Sequence, residues 1–244
     1  MKEQRYFYCP DIASRCELSE EETAHATRVL RLKKGDKVSV LDGQGHLYRC
    51  VITATSSKHC SLSTEETLDI SKTWNGRVTI AMAPTKSIDR TEWMAEKATE
   101  IGIDALEFVR CRFSERTGIR IERIERILIG AMKQSHKPFL PIVKGMTPFK
   151  TFVDSITTGQ RYIAHCYEEV AREPLFAALL RCDTSDDVTV MIGPEGDFSI
   201  DEVRYAVSKG WQPVSLGDSR LRTETAAIVA ATTVQIAKNS ATIR

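Results

Sequence analysis

Two glycine-bearing segments carry the chemistry this chain offers. In MIGPEGDFSIDEV, Met191 to Val203, an apolar run ends at Ile192 and gives way to Gly193, Pro194, Glu195, Gly196 and Asp197. In VSLGDSRLRTETAAI, a second run ends at Leu216-Gly217 and leads through Arg222, Thr223 and Glu224 into an alanine-rich stretch. Glycines let a backbone approach a ligand closely, but a phosphate cradle also needs Lys or Arg, and neither GxxxxGKS/T nor GxGxxG occurs. Glu195 and Asp197 repel phosphate. Such a loop suits a neutral or cationic ligand read through main-chain groups, for instance an adenosyl moiety with its ribose hydroxyls. Either segment alone is equally well a plain strand-to-helix turn; as a pair, one strand and one helix apart, they point to a binding site.

The elements around them follow from periodicity. Strands are expected at Val78–Ala83, Leu106–Cys111, Leu140–Lys144, Tyr162–Cys166, Val188–Ile192 and Pro213–Leu216, separated by helices at Arg90–Ile101, Ile121–Ser135, Phe149–Thr157, Pro174–Leu180, Ile200–Lys209 and Glu224–Lys238. This alternation predicts an α/β fold with a mostly parallel sheet, and ligands in such sheets sit at the carboxyl ends of strands. Ser199 is placed to cap the helix after GPEGD, with Asp201 and Glu202 in its first turn. The last helix has few charges from Ala226 to Ala237, so it is buried or packed in a subunit interface. The first 70 or so residues read differently: Ser19 and Glu22 have capping-box spacing, EEETAHATRVLRL is helical up to Leu32, and DKVSVLDGQGHLYRCVITAT turns as a hairpin at Asp42-Gly43.

Composition narrows the function class. The 244 residues are 42% hydrophobic and 27% charged, with a formal net charge of +1. No stretch approaches the ~20 apolar residues of a spanning helix, and MKEQRYFYCPDI has no apolar segment after its charges, so a cytoplasmic protein without a membrane partner is expected. Seven cysteines, none in a CxxC pair, suggest neither a disulfide framework nor a metal site. Charge is uneven: Arg110 to Lys150 holds ten Lys/Arg against three Asp/Glu, and Glu168 to Glu202 holds ten Asp/Glu against two Arg. One face can attract a polyanion while another repels it.

IGPEGDFSIDEV followed by SLGDSRLRTETAAI resembles the two signature loops of the 16S ribosomal RNA (uracil-N3)-methyltransferase family, in the SPOUT superfamily of knotted methyltransferases. RYFY, HATRVLR, EKATEIGI and FSERT extend the likeness across the chain. The resemblance implies a PUA-like RNA-binding β-barrel over residues 1–72, a SPOUT domain with a parallel sheet and a trefoil knot over 73–244, a homodimer, and S-adenosyl-L-methionine as methyl donor. Residue by residue, it assigns Gly193, Glu195 and Gly196 to the first cofactor loop and Leu216, Gly217, Leu221, Arg222 and Thr223 to the second, with His165 at the end of YIAHC as a third wall.

The expected acceptor is 16S rRNA or the small ribosomal subunit, not DNA. RNA contacts are expected from Arg5, His25, Arg28 and Arg31, the last two at i,i+3 on one helix face, and from Lys86, Arg112, Arg116, Lys133 and Lys137. The family's acidic-Gln-Ser-X-Arg pattern is replaced here by Lys133-Gln-Ser-His-Lys137, which keeps positive charge without the planar arginine fork. Uracil N3 must lose its proton, so Arg222 is the candidate to stabilise the developing anion and Glu224 the candidate base. The rival is a non-catalytic RNA-binding or ribosome-assembly factor on the same fold; a small-molecule nucleotide enzyme is disfavoured by the missing phosphate loop.

Overall fold

The computed structural model describes residues 5–240, which divide into two compact units. The smaller takes in the chain up to Lys72 together with Ile129–Leu140; the larger comprises Thr73–Leu128 and the chain from Pro141 onward.

In the smaller unit, strands β1 (Tyr6–Tyr8), β2 (Lys37–Leu41), β3 (His46–Thr55) and β4 (Cys60–Asp69) form one mixed sheet in that order. β1 runs parallel to β2 and the other pairs are antiparallel. Two short helices, α1 (Ile12–Arg15) and α2 (Glu20–Ala24), close its core of Phe7, Ile12, Leu18, Val40 and Ile52. The β2–β3 turn is held by Asp42, whose carboxylate accepts from the Gln44 and His46 amides at 2.7 and 3.1 Å. Gly45 in this turn has φ +113, and a Cβ there would lie 2.8 Å from the Phe139 ring, so glycine is required twice over.

The helix expected to run on to Leu32 does not. Ser19 caps it as predicted, accepting from the Glu22 amide, but after Ala24 the chain widens into a π-helical turn, His25–Val29, closed by Leu30 N–H on the His25 carbonyl. Arg31 then adopts φ +53, in the left-handed region. Arg28 and Arg31 are both exposed, yet they do not share the α-helical face that i,i+3 spacing implied.

Lys133 also departs from its expected role as a free RNA cation. It lies near the end of α4 (Ile121–Gln134), and its ammonium pairs with Oε1 of Glu22, a side chain only 9% exposed. Beside it the Tyr6 ring stacks on His136 at 4.2 Å, and Gly45 N–H donates to the Pro138 carbonyl at 2.9 Å. Breaking a buried pair by removing one partner leaves an uncompensated charge. Lys133→Ala should therefore destabilise the smaller unit by about 1–3 kcal/mol, read from its urea midpoint, while the double replacement with Glu22→Gln should recover much of the loss.

The larger unit is a seven-stranded parallel sheet ordered β7-β6-β5-β10-β8-β11-β9. Its strands are β5 (Val78–Met82), β6 (Ala105–Arg110), β7 (Ile142–Pro148), β8 (Gln160–Ala164), β9 (Glu173–Pro174), β10 (Val188–Ile192) and β11 (Gln212–Ser215). Helices α3 (Ile88–Ile101), α5 (Phe149–Ser155), α6 (Leu175–Leu179), α7 (Ile200–Ser208) and α8 (Thr223–Ser240) connect and cover them. Every residue of β5 and β10 is buried, as continuous apolar strands of a doubly covered sheet must be. Insertion of β10 between β5 and β8 sets β10, β8 and β11 side by side, so their carboxyl ends open at one edge.

The small buried residues Ala227, Ala230, Ala231 and Val234 seat α8, at the spacing of one helix face. Polar groups fix its far end. Gln235 Nε2 donates to the Gly102 carbonyl at 2.6 Å, and the buried Lys238 ammonium donates to the carbonyls of Asn75, Thr184 and Asp186 at 2.8, 2.8 and 2.7 Å.

Candidate functional site

A cleft of about 750 Å³ opens at the carboxyl ends of β8, β10 and β11. Both glycine loops line it. The first follows β10 and is locked rather than loose: Ser199 forms a full capping box with Glu202 at the start of α7, and a Cβ on Gly193 would come within 3.0 Å of the Phe198 nitrogen. Asp197 takes φ +63, unusual for a residue with a side chain, and its carboxylate holds the conformation. One oxygen accepts from Phe198 N–H at 2.7 Å and the other from Cys166 N–H at 2.8 Å, joining this loop to the end of β8. Glu195 does the same on the other side, accepting from Lys86 N–H at 2.8 Å. The two carboxylates that the sequence pointed at a ligand thus hold three loops together.

The second loop runs from Gly217, at φ +110, through exposed Asp218, Ser219 and Arg220 to Leu221. Arg222 follows at the lip of the cleft, exposed, and among the described residues no hydrogen bond or ion pair engages its guanidinium. Thr223 is buried and opens α8. Leu216 is half-buried and does not line the cleft.

His165 stands just past β8, where successive side chains alternate. Its neighbours Ala164 and Cys166 line the cleft, whereas His165 is 3% exposed and does not. Its Nδ1 accepts from Tyr167 N–H at 3.2 Å, which places the proton on Nε2, and Nε2 meets no partner among the described residues. Burial pushes this imidazole below its ordinary value, so it remains neutral.

Glu224 is buried in the first turn of α8 and does not line the cleft; Oε1 lies 3.7 Å from Arg90 Nε, and Oε2 has no partner among the described residues. A carboxylate so placed has no open path to a base held in the cleft. Arg90, Tyr167, Arg172 and Arg220 line it unannounced by the sequence. Arg90 and Arg172 sit on connections with no glycine signature, and only the strand order brings them in.

The cationic candidates divide. Lys86, Arg112 and Arg116 lie on loops after β5 and β6, at the same sheet edge as the cleft. Arg112 is exposed and stands 6.0 Å over the Phe113 ring, and the Lys86 ammonium pairs with Glu115 at 2.8 Å. Arg116 is spent on structure, donating to the Thr85 and Lys86 carbonyls at 3.1 and 2.7 Å. On the smaller unit, Arg5 and His25 line a separate groove of about 1100 Å³. Arg28 and Arg31 lie outside that groove, and Lys137 is half-buried.

Chemically, the cleft offers main-chain groups, a rigid floor and an unengaged guanidinium, the equipment for orienting a bulky neutral or cationic cofactor beside an acceptor that becomes anionic. Comparisons with known proteins agree. Residues 72–235 match the family described as RNA methyltransferase domain, and residues 18–65 the one described as RNA methyltransferase PUA domain. The ribosomal RNA small subunit methyltransferase E of Synechocystis is 32% identical over 208 residues, covering 83% of this chain and 67% of that protein. A probable rRNA-methyltransferase from Porphyromonas gingivalis superposes with a TM-score of 0.89 at 41% identity, over 98% of this chain and 100% of that one. A putative methyltransferase from Legionella pneumophila, solved with the bound cofactor SAM, gives 0.85 at 25% identity over 96% and 98%. The fold is that of a PUA-like domain joined to a SPOUT-type α/β domain. This chain belongs to the ribosomal RNA small subunit methyltransferase E family.

Proposed function

We propose that this protein methylates N3 of a uridine in 16S ribosomal RNA, using S-adenosyl-L-methionine, as a cytoplasmic homodimer. The part up to residue 72 is the RNA-binding domain and the part from 73 onward the methyl-transfer domain, whose last segment threads the knot that the family resemblance implies. One observation carries the reading: both glycine loops and the end of β8 share a single cleft with Arg222 unengaged at its lip. Its size falls among the roughly 300–1,000 Å³ clefts that hold ligands of this class. The main-chain groups of Gly193, Gly196, Gly217 and Leu221 suit an adenosyl moiety, and Glu195, Asp197 and Asp218 tolerate a cation that they would deny to a phosphate.

When bound, the cofactor supplies an electrophilic methyl carbon on sulfonium, and as N3 bonds to that carbon the carbon–sulfur bond breaks with its electrons passing to sulfur. The locked loops fix the geometry, which supplies much of the rate. Arg222 stabilises the negative charge that uracil acquires on losing its N3 proton. The exposed Phe176 and Ile236, on the mutually packed α6 and α8, and Leu180 just after α6 give a second subunit an apolar surface to cover.

Mass spectrometry of small-subunit RNA after incubation with protein and cofactor should show one added methyl on a uridine base. RNA that is bound but unmodified, with no heat on S-adenosylhomocysteine titration, would favour the non-catalytic binding factor. RNA docking is checked separately: the double replacement Arg28→Glu and Arg31→Glu should weaken binding and flatten the dependence of log K on log salt by about two charges.

A further inference from the structure

The mouth of the cleft holds a pair that the roles above leave unused. Arg90 projects from the first turn of α3 and lines the cleft, while Glu224 is buried beside it with Oε1 3.7 Å from Arg90 Nε and Oε2 unpartnered. A buried carboxylate is costly unless its charge is used, and the cation it faces here points into the cleft. Strand order says where Arg90 comes from. The other lining residues come from the ends or following segments of β8, β10 and β11; Arg90 alone comes from the connection after β5, across β10 from the other two. Glu224, which it faces, lies two residues past Arg222, so the two guanidiniums share one end of the cleft.

We infer that Arg90 is a second guanidinium on the acceptor base and that Glu224 is the positioning residue that fixes it, not a proton acceptor. This rests on the proposed transfer to uridine N3. That nitrogen lies between two carbonyl carbons; when the N3–H bond breaks, the electron pair stays on the ring, O2 and O4 share the negative charge, and the proton leaves to water. Arg222 and Arg90, both lining the cleft, supply one guanidinium for each oxygen. The carboxylates that line the cleft are otherwise engaged or displaced from it. Glu195 accepts from Lys86 N–H, Asp197 accepts from Cys166 and Phe198 N–H, and Asp218 sits on the exposed second loop. Of the remaining charged groups, Arg172 donates to the His165 carbonyl and Arg220 is exposed on the second loop. Cys166 is exposed at the end of β8, and the Tyr167 phenol donates to the Phe198 carbonyl, with burial pushing it up and out of reach as a neutral-pH base.

The test follows kcat/KM for rRNA from neutral to alkaline pH in wild type, Arg90→Ala, Arg90→Lys and Glu224→Gln, with calorimetric titration of S-adenosylhomocysteine. Arg90→Ala should lower kcat/KM about 100-fold and displace the rising alkaline limb to higher pH, because the anion forms less readily. Arg90→Lys should restore part of the loss, Glu224→Gln should shift the limb the same way by less, and affinity for S-adenosylhomocysteine should be unchanged throughout. An unmoved limb in Arg90→Ala, or a Glu224→Gln variant that loses the limb while Arg90→Ala keeps it, overturns the inference. If Glu224→Gln does not fold, the two Arg90 variants decide alone. Wild-type protein that methylates no uridine would instead refute the function on which the inference stands.

Discussion

Arg222→Ala is expected to lower kcat/KM for rRNA methylation by about 10²–10³, roughly 2.7–4 kcal/mol of transition-state stabilisation, with no change in melting temperature. The separation follows from where the residue stands. Its guanidinium is exposed and makes no bond within the described residues, so truncation removes nothing the fold uses. Its place on the loop between Gly217 and α8 puts it at the lip of the cleft, where the proposed mechanism has charge develop as N3 is deprotonated. Because that charge is absent from the resting RNA, the loss should fall on kcat more than on KM. Single-turnover methylation with saturating cofactor, beside a thermal melt, measures both. Wild-type turnover in this variant would remove Arg222 from the mechanism.

Lys238→Ala should act in the opposite sense, costing about 3–5 kcal/mol of stability without touching the cleft. Its ammonium gathers three main-chain carbonyls from two separate parts of the chain, at Asn75 and at Thr184 and Asp186. Hydrogen bonds to a charged donor contribute about 1.5–3 kcal/mol each, and carbonyls left buried without a donor cost more than a neutral exchange. Lys238→Met keeps the aliphatic stem and loses only the donors, so the difference between the two variants in denaturant midpoint separates packing from hydrogen bonding. A loss under about 1 kcal/mol in both would show that water replaces the ammonium.

Much of this was legible in the sequence where the physics is local. The apolar run Val188–Ile192 is a buried strand, Ser199 with Glu202 is a capping box, and the two glycine loops do meet in one cleft. Each rests on residues within a few positions of one another. What was not legible depends on partners far along the chain. Lys133 reads as a surface cation until Glu22, more than a hundred residues earlier, is found beneath it. Arg116 carries the same charge as any RNA-binding arginine, and only the Thr85 and Lys86 carbonyls reveal it as a brace. Arg90 enters the cleft because β10 inserts next to β5, a pairing no periodicity encodes. The π-helical turn at His25–Val29 escaped because its sequence continues a helical pattern without a break.

The carboxylates of Asp197 and Glu195 have one more consequence. By tying the connections after β5, β8 and β10 into a single piece, they leave those walls of the receptacle already shaped before anything enters it. Little ordering entropy remains to be lost in those walls on association, so affinity there reflects contacts formed rather than loops frozen. Donor and spent product differ, within that receptacle, by one methyl group and the positive charge on one sulfur atom.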